Sequence, residues 1–120
     1  MFAKIGFAFR GYLCGVILLL MTYKDLVFNR IESTPRGDVM QAIVRFENGL
    51  GLSVLSGPGT LTSSDRPFEA AVILFSADGT YTIVYPDYTH GDVLSFLTGD
   101  QVSEYMVMVS SETHPGGFKT

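Results

Sequence analysis

The chain has 120 residues, enough for one domain with a core of modest extent. Its apolar fraction is that of a globular protein, which excludes global disorder, and eight basic against twelve acidic residues set the net charge at −4. The charge divides along the chain. Residues 1–39 carry Lys4, Arg10, Lys24, Arg30 and Arg36 against Asp25, Glu32 and Asp38, whereas residues 40–120 carry only Arg45, Arg66 and Lys119 against nine carboxylates. Three cations cannot track a phosphate backbone, which argues against nucleic acid as a partner and leaves basic protein partners or mimicry of nucleic-acid charge open.

Residues 1–39 read as an apolar leader. The stretch Gly11–Thr22 is uncharged, yet twelve residues span only about 18 Å as a helix, against about 30 Å of bilayer hydrocarbon. Extending it to residues 5–23 gives a membrane-span candidate with Arg10 inside. A basic start and an apolar run also suit a signal peptide, but no small-residue cleavage site follows Met21. Cys14 is the only cysteine, so an internal disulfide or a cysteine-rich zinc site is excluded. It reads as a small apolar residue. The lipoprotein pattern is absent, because the apolar run continues past it. A third reading places the true start at Met40, with the codons of Arg36-Gly37-Asp38 serving as a ribosome-binding site. On each of these readings the folded domain is residues 40–110; the remaining alternative makes residues 1–39 an integral part of the fold.

Within that domain, Ala42, Val44 and Phe46 alternate with Ile43, Arg45 and Glu47, the period of a half-buried strand. Asn48-Gly49 suits a tight type I′ turn, and Leu50, Leu52 and Val54 continue the alternation, so residues 41–56 are expected to form a hairpin. Ser56–Pro67, with Gly57-Pro58-Gly59 at its start, is expected to be a mobile connection. Phe68–Phe75 is apolar on both faces past Glu69, as in a central strand. Ser76-Ala77-Asp78-Gly79 turns the chain into a strand over 80–85 that ends at Pro86. The period then changes. Asp92–Leu97 reads as one or two helical turns with Thr89 as N-cap, and Thr98-Gly99-Asp100-Gln101 is a capping box opening a helix that places Val102, Met106 and Val109 on one face. Residues 111–120 are polar, contain Pro115-Gly116-Gly117, and are expected to fray as a flexible tail. The expected fold is therefore α+β: a four-stranded antiparallel meander sheet with one or two C-terminal helices on one face.

The run Val44–Val54, followed by Gly57-Pro58-Gly59 and by Glu69–Leu74, resembles a family of small uncharacterised proteins encoded by tailed bacteriophages. The run Thr89–Val102 is similar to the helical end of the same family. The similarity covers residues 41–109. It implies that residues 1–39 are an extension and brings no catalytic residue with it.

Candidate chemistry is sparse. Asp87, His90 and Asp92 gather two carboxylates and a histidine in six residues, a ligand set short of a closed metal site. Asp87 reads equally well as a turn residue and Asp92 as a first-turn helix residue. Glu69 and Asp87 are a carboxylate pair of the kind any acidic protein offers. No nucleophile elbow or His-Glu-x-x-His run occurs, and no cofactor is implied. Gly57, Pro58, Gly59, Tyr85 and Tyr88 are the candidate partner-binding residues. Three functions follow in order of preference: a non-catalytic module binding a host or phage protein, in the host cytoplasm; a small membrane-anchored domain; and a metal-binding or hydrolytic protein using Asp87, His90 and Asp92.

Overall fold

The structure, a computed structural model, describes residues 21–113. Within them lie six strands and one α-helix: β1 (Asn29–Thr34), β2 (Gly37–Arg45), β3 (Leu50–Ser56), β4 (Phe68–Phe75), β5 (Tyr81–Ile83), β6 (Leu94–Leu97) and α1 (Gly99–Ser110), with 3-10 turns at Tyr23–Asp25 and Asp87–Thr89. The strands form one antiparallel sheet in the order β1-β2-β3-β4-β5. β6 shares the outer edge of β4 with β5: β5 pairs with Ile73–Phe75 and β6 with Phe68–Ala70. The α+β class and the C-terminal helix agree with the sequence. The strand count does not, being six rather than four.

Cross-strand register sorts the side chains into two faces. On one face lie the rows Ala42–Val54–Ala70–Leu94 and Val44–Leu52–Val72. With Phe46, Leu50, Val84, Leu97 and the helix residues Val102, Met106 and Val109, they make the buried core. Val102, Met106 and Val109 recur at the i, i+4, i+7 spacing that presents one helical stripe to the sheet. The Thr98 hydroxyl accepts from the Gln101 amide at 3.2 Å while the Gln101 side chain accepts from the Thr98 amide at 2.9 Å, the reciprocal capping box expected from sequence.

The boundary expected at Met40 is not an edge of the fold. Met40 lies inside β2, paired with Arg30 on β1 and with Ser56 on β3. Upstream, Met21, Tyr23, Leu26 and Phe28 pack against the core. The Tyr23 amide donates to the Ser103 hydroxyl of α1 at 2.9 Å, and its ring lies flat against Gly99, where a Cβ would strike it. Tyr23 and Phe28 also meet Phe68, with ring centroids 5.9 and 5.8 Å away. Residues 21–39 therefore belong to the domain. Their apolar residues resemble a leader because they cover the open corner between α1 and the start of β4. The membrane candidate 5–23 lies outside the described residues except for its last three, and no helix among the described residues is long and apolar enough to cross a membrane.

Two local expectations are also corrected. Asn48-Gly49 does not form a type I′ turn, because only Gly49 has a positive φ, of 89°. The Phe46 amide donates to the Leu50 carbonyl and the Gly49 amide to the Phe46 carbonyl, the geometry of a three-residue loop with a glycine bulge. Ser76–Thr80 repeats it bond for bond, with Gly79 also at φ 89°. There the Thr80 amide and hydroxyl both donate to Asp78, which holds its carboxyl below the usual range. The second correction concerns Asp92–Leu97, which is not helical. Leu94 pairs with Ala70 and Leu97 with Phe68, so β6 carries one extra residue, a bulge at which Phe96 takes φ 55°. The bulge turns Leu94 and Leu97 to the same face, and that spacing of three imitates a helix. Thr89 is accordingly not an N-cap. It is buried, and its hydroxyl donates to the Pro86 carbonyl at 2.7 Å.

The end of α1 is held from across the domain. The Asn48 amide nitrogen donates to the Val109 carbonyl at 2.8 Å and the Glu112 carbonyl at 3.0 Å, while its oxygen accepts from the Leu50 amide at 3.0 Å. Residues 111–113, expected to open a frayed tail, are thus tied to the β2–β3 loop; residues 114–120 lie outside the described residues. Asn48→Ala should lower unfolding free energy by about 2–3 kcal/mol, about 1 kcal/mol per bond lost. Asn48→Asp keeps the acceptor for Leu50 but brings a negative charge to the helix C-terminus, so urea denaturation should find it no more stable than the alanine variant.

Candidate functional site

The second face of the sheet carries no helix among the described residues. Its rows are Gln41–Leu55–Glu69, Ile43–Ser53–Ala71 and Arg45–Gly51–Ile73–Ile83, closed at one end by Phe75 and Tyr81. The central strands β3 and β4 place small side chains here: Gly51, Ser53 and Ala71. Larger ones flank them, so the face is a trough of about 210 Å³, lined by Gln41, Ser53, Leu55, Glu69, Ala71, Ile73, Tyr81, Ile83 and Val93 among others. Ile73 is fully buried in it, while Ile43, Ile83 and Tyr81 keep 44, 40 and 38% of their surface exposed.

The closed end is built by contact. Arg45 lies 4.7 Å from the centre of the Phe75 ring, which meets Tyr81 edge-on at 5.6 Å. Gly51 makes this possible, since a Cβ there would collide with the Val44 carbonyl and the Phe75 ring. At the other end, a Glu69 carboxylate oxygen accepts from the Leu61 amide at 2.8 Å. Gln41 and Ser53 bond to each other across the trough at 2.9 Å, which satisfies both polar groups and leaves the wall apolar.

The residues singled out from sequence lie elsewhere. Gly57 follows β3 with φ 114°, its backbone so close to Asp38 and Val39 that a Cβ would press into the Asp38 carbonyl. Pro58 lies beside the Gly37 turn, and Gly59 is open to solvent. The 57–67 connection is more constrained than expected. Thr60 bonds back to Gly57, the Ser63 amide donates to the Arg66 carbonyl, and the Leu61 carbonyl accepts from the Phe96 amide at 2.9 Å. Arg66 in turn reaches the Phe96 carbonyl and Gln101. These bonds hold Phe96 in its left-handed conformation, which costs a non-glycine residue about 1–2 kcal/mol.

Tyr88 sits on the helix side, stacked on Tyr105 at 6.2 Å, with Tyr85 half-buried nearby in sequence. Gly57-Pro58-Gly59 and Tyr88 are not brought together: the first leaves the Ser56 end of β3, whereas Tyr88 faces α1. The Tyr88 hydroxyl is buried without a hydrogen-bond partner among the described residues. Burial first, then the Glu112 charge and Tyr105, push its pKa up to about 12. Asp87, His90 and Asp92 are all exposed. His90 ends a 3-10 turn with φ 55°, and Asp92 accepts from the neighbouring Val93 amide. Among the described residues no three His, Cys, Asp or Glu side chains gather as a metal site. Glu69 and Asp87 are likewise in separate places, one lining the trough and the other opening the 3-10 turn.

The trough residues escaped the sequence reading, although Phe68–Phe75 carried the signal. A strand apolar on both faces is read as buried on both, and here the second apolar face is the trough. Comparison of the chain with protein-family models, curated proteins and solved structures finds no match.

Two substitutions probe the sequence candidates. Gly57→Ala should cost more than about 2 kcal/mol, combining left-handed strain with a backbone clash, and Gly59→Ala only about 1 kcal/mol, both read from denaturation midpoints. For Tyr88, the raised folded pKa means that stability is unaffected below the unfolded value near 10 and falls as pH climbs from there toward about 12. Ultraviolet titration should show a late tyrosinate step, and Tyr88→Phe should abolish it without loss of stability at neutral pH, because no hydrogen bond is removed.

Proposed function

We propose that this chain is a non-catalytic protein-binding module that uses the outer trough of its sheet. The observation carrying this reading is the apolar trough itself, with exposed Ile43, Ile83 and Tyr81 around a floor of small residues. An apolar sheet face that no other described element covers is the kind of surface that marks an interaction site. Small floor residues let a partner approach the strands closely, and the aromatic and arginine pair at the closed end is of the composition favoured in interface cores. The resemblance to small phage-encoded proteins agrees with an accessory role exercised through binding. The acidic surface favours partners with basic groups near the contact.

The test compares the wild-type chain with Ala71→Lys and Ile83→Lys as baits in an affinity capture. Both charges enter the trough, and Ile83 is exposed enough to accept lysine without unfolding the sheet. Proteins held by the wild type should be lost about tenfold or more from both variants, equal to about 1.4 kcal/mol of binding. Equal recovery by all three baits, or nothing above background with any, refutes the reading.

A further inference from the structure

We propose that Asn48-Gly49 is a modification site, at which spontaneous deamidation removes the clamp on the end of α1 and opening of that helix end sets the rate. Neither residue lines the trough, and the reaction needs no partner.

The residue pair carries the chemistry. An asparagine deamidates when the amide nitrogen of the next residue attacks its side-chain carbonyl carbon. Of the two asparagines in the chain, Asn48 precedes a glycine, whose nitrogen is the least hindered, and Asn29 precedes Arg30. The Gly49 nitrogen loses its proton to a solvent base and forms a bond to Cγ of Asn48. The side-chain nitrogen takes up a proton and leaves as ammonia, which closes a five-membered succinimide. Water then adds to one of the two ring carbonyls. Breaking the new bond gives aspartate; breaking the original peptide bond gives isoaspartate, in which the backbone runs through Cγ. Water is the only co-reactant. It has access, because Asn48 and Gly49 are half-buried and the space beside Gly49 is open.

The fold holds both reacting groups apart from this path. Asn48 Nδ2 donates to the Val109 and Glu112 carbonyls at 2.8 and 3.0 Å, and its Oδ1 accepts from the Leu50 amide at 3.0 Å. The Gly49 amide, which has to lose its proton, donates to the Phe46 carbonyl at 3.1 Å. Attack therefore waits until the last turn of α1 lifts and frees the side chain. Val109 is the last buried residue of that turn, and residues 110–113 are half-buried or exposed, so this is the end of the helix that opens at least cost. The rate at Asn48 is then the intrinsic rate multiplied by the fraction of time the end is open.

The product cannot rebuild the clamp. A carboxylate has no donor for the two carbonyls, and it places negative charge at the carbonyl end of the helix. Isoaspartate also adds a methylene to the backbone between Phe46 and Leu50, whose amide and carbonyl bond across the loop. A transient opening becomes a permanent one.

The test follows the full chain in mildly alkaline buffer, folded and unfolded in urea. Two variants loosen the helix end. Ser111→Pro removes the amide that donates to the Val107 and Met108 carbonyls, and Val109→Ala weakens the anchor in the core. Trypsin cuts after Lys24, Arg30 and Arg45, so peptide 25–30 and the fragment beginning at Phe46 report the two asparagines separately by mass. Asn48 should convert about a hundredfold more slowly in the folded wild type than in urea, because two or three hydrogen bonds must first be broken. Each variant, while still folded, should convert about tenfold faster than the wild type, with Asn29 unchanged. The product should contain both aspartate and isoaspartate. Reacted chains, separated by their added negative charge, should exchange the amide hydrogens of the last turn of α1 about tenfold faster than unreacted ones. Equal rates in the folded and urea-unfolded chain would overturn the proposal, as would no acceleration in either variant. Aspartate without isoaspartate would assign the reaction to direct attack by water and overturn it too. Unchanged exchange in the reacted chain would show that the clamp is not lost, with the same result.

Discussion

Among the described residues a single helix covers a six-stranded sheet, and the way α1 is held to it organises the molecule. Its apolar stripe of Val102, Met106 and Val109 enters the core, but a twelve-residue helix leaves backbone groups without intrahelical partners at both ends. At the start the Thr98 hydroxyl accepts from the Gln101 amide, while Tyr23 holds the helix in place by donating its own amide to the Ser103 hydroxyl and lying against Gly99. At the finish the Asn48 side chain takes two carbonyls at once. The clamps come from two separate places in the chain, the segment before β1 and the β2–β3 loop. The helix is thereby positioned by contacts 61 to 80 residues away in sequence as well as by its own propensity.

Having one helix also determines what remains. The layer over the core face uses the whole of α1 together with Met21, Tyr23, Leu26 and Phe28. Nothing else among the described residues covers the opposite face. The sheet meets that condition with small residues on its central strands and a ring-and-guanidinium stack at one end, and the result is a concave apolar surface. Gly51 illustrates the link between fold and surface. Its missing side chain admits the Phe75 ring, which supports Arg45 on one side and Tyr81 on the other.

Exposed apolar faces promote aggregation when left bare. The exposed edge strand β1 is managed in its own way: a bulge at Arg30–Glu32 and alternating charge interrupt its pairing edge.

Much of the fold was legible because it is local. The strand period of 42–46, the glycines closing both hairpin loops, the capping box at Thr98 and the helical stripe depend on neighbours within a few residues. The misreadings share one cause, namely that the same short pattern serves two structures. Leu94 and Leu97 have helical spacing because a bulge adds one residue to a strand. Asn48 reads as a turn residue, and it is one, but its amide caps a helix distant in sequence. Residues 21–39 read as leader because their aromatic and aliphatic side chains have no periodicity of their own; they fill a corner whose shape is set by α1 and β4. Phe68–Phe75 revealed an apolar second face without indicating whether protein or solvent lies over it. The amino-acid sequence by itself determined the class, the hairpins and the helix, because propensity and alternation act over a turn or a pleat. Tertiary structure alone decided that residues 21–39 join the domain, how the helix ends are held and which face of the sheet α1 covers, because each depends on partners brought together only when the chain folds.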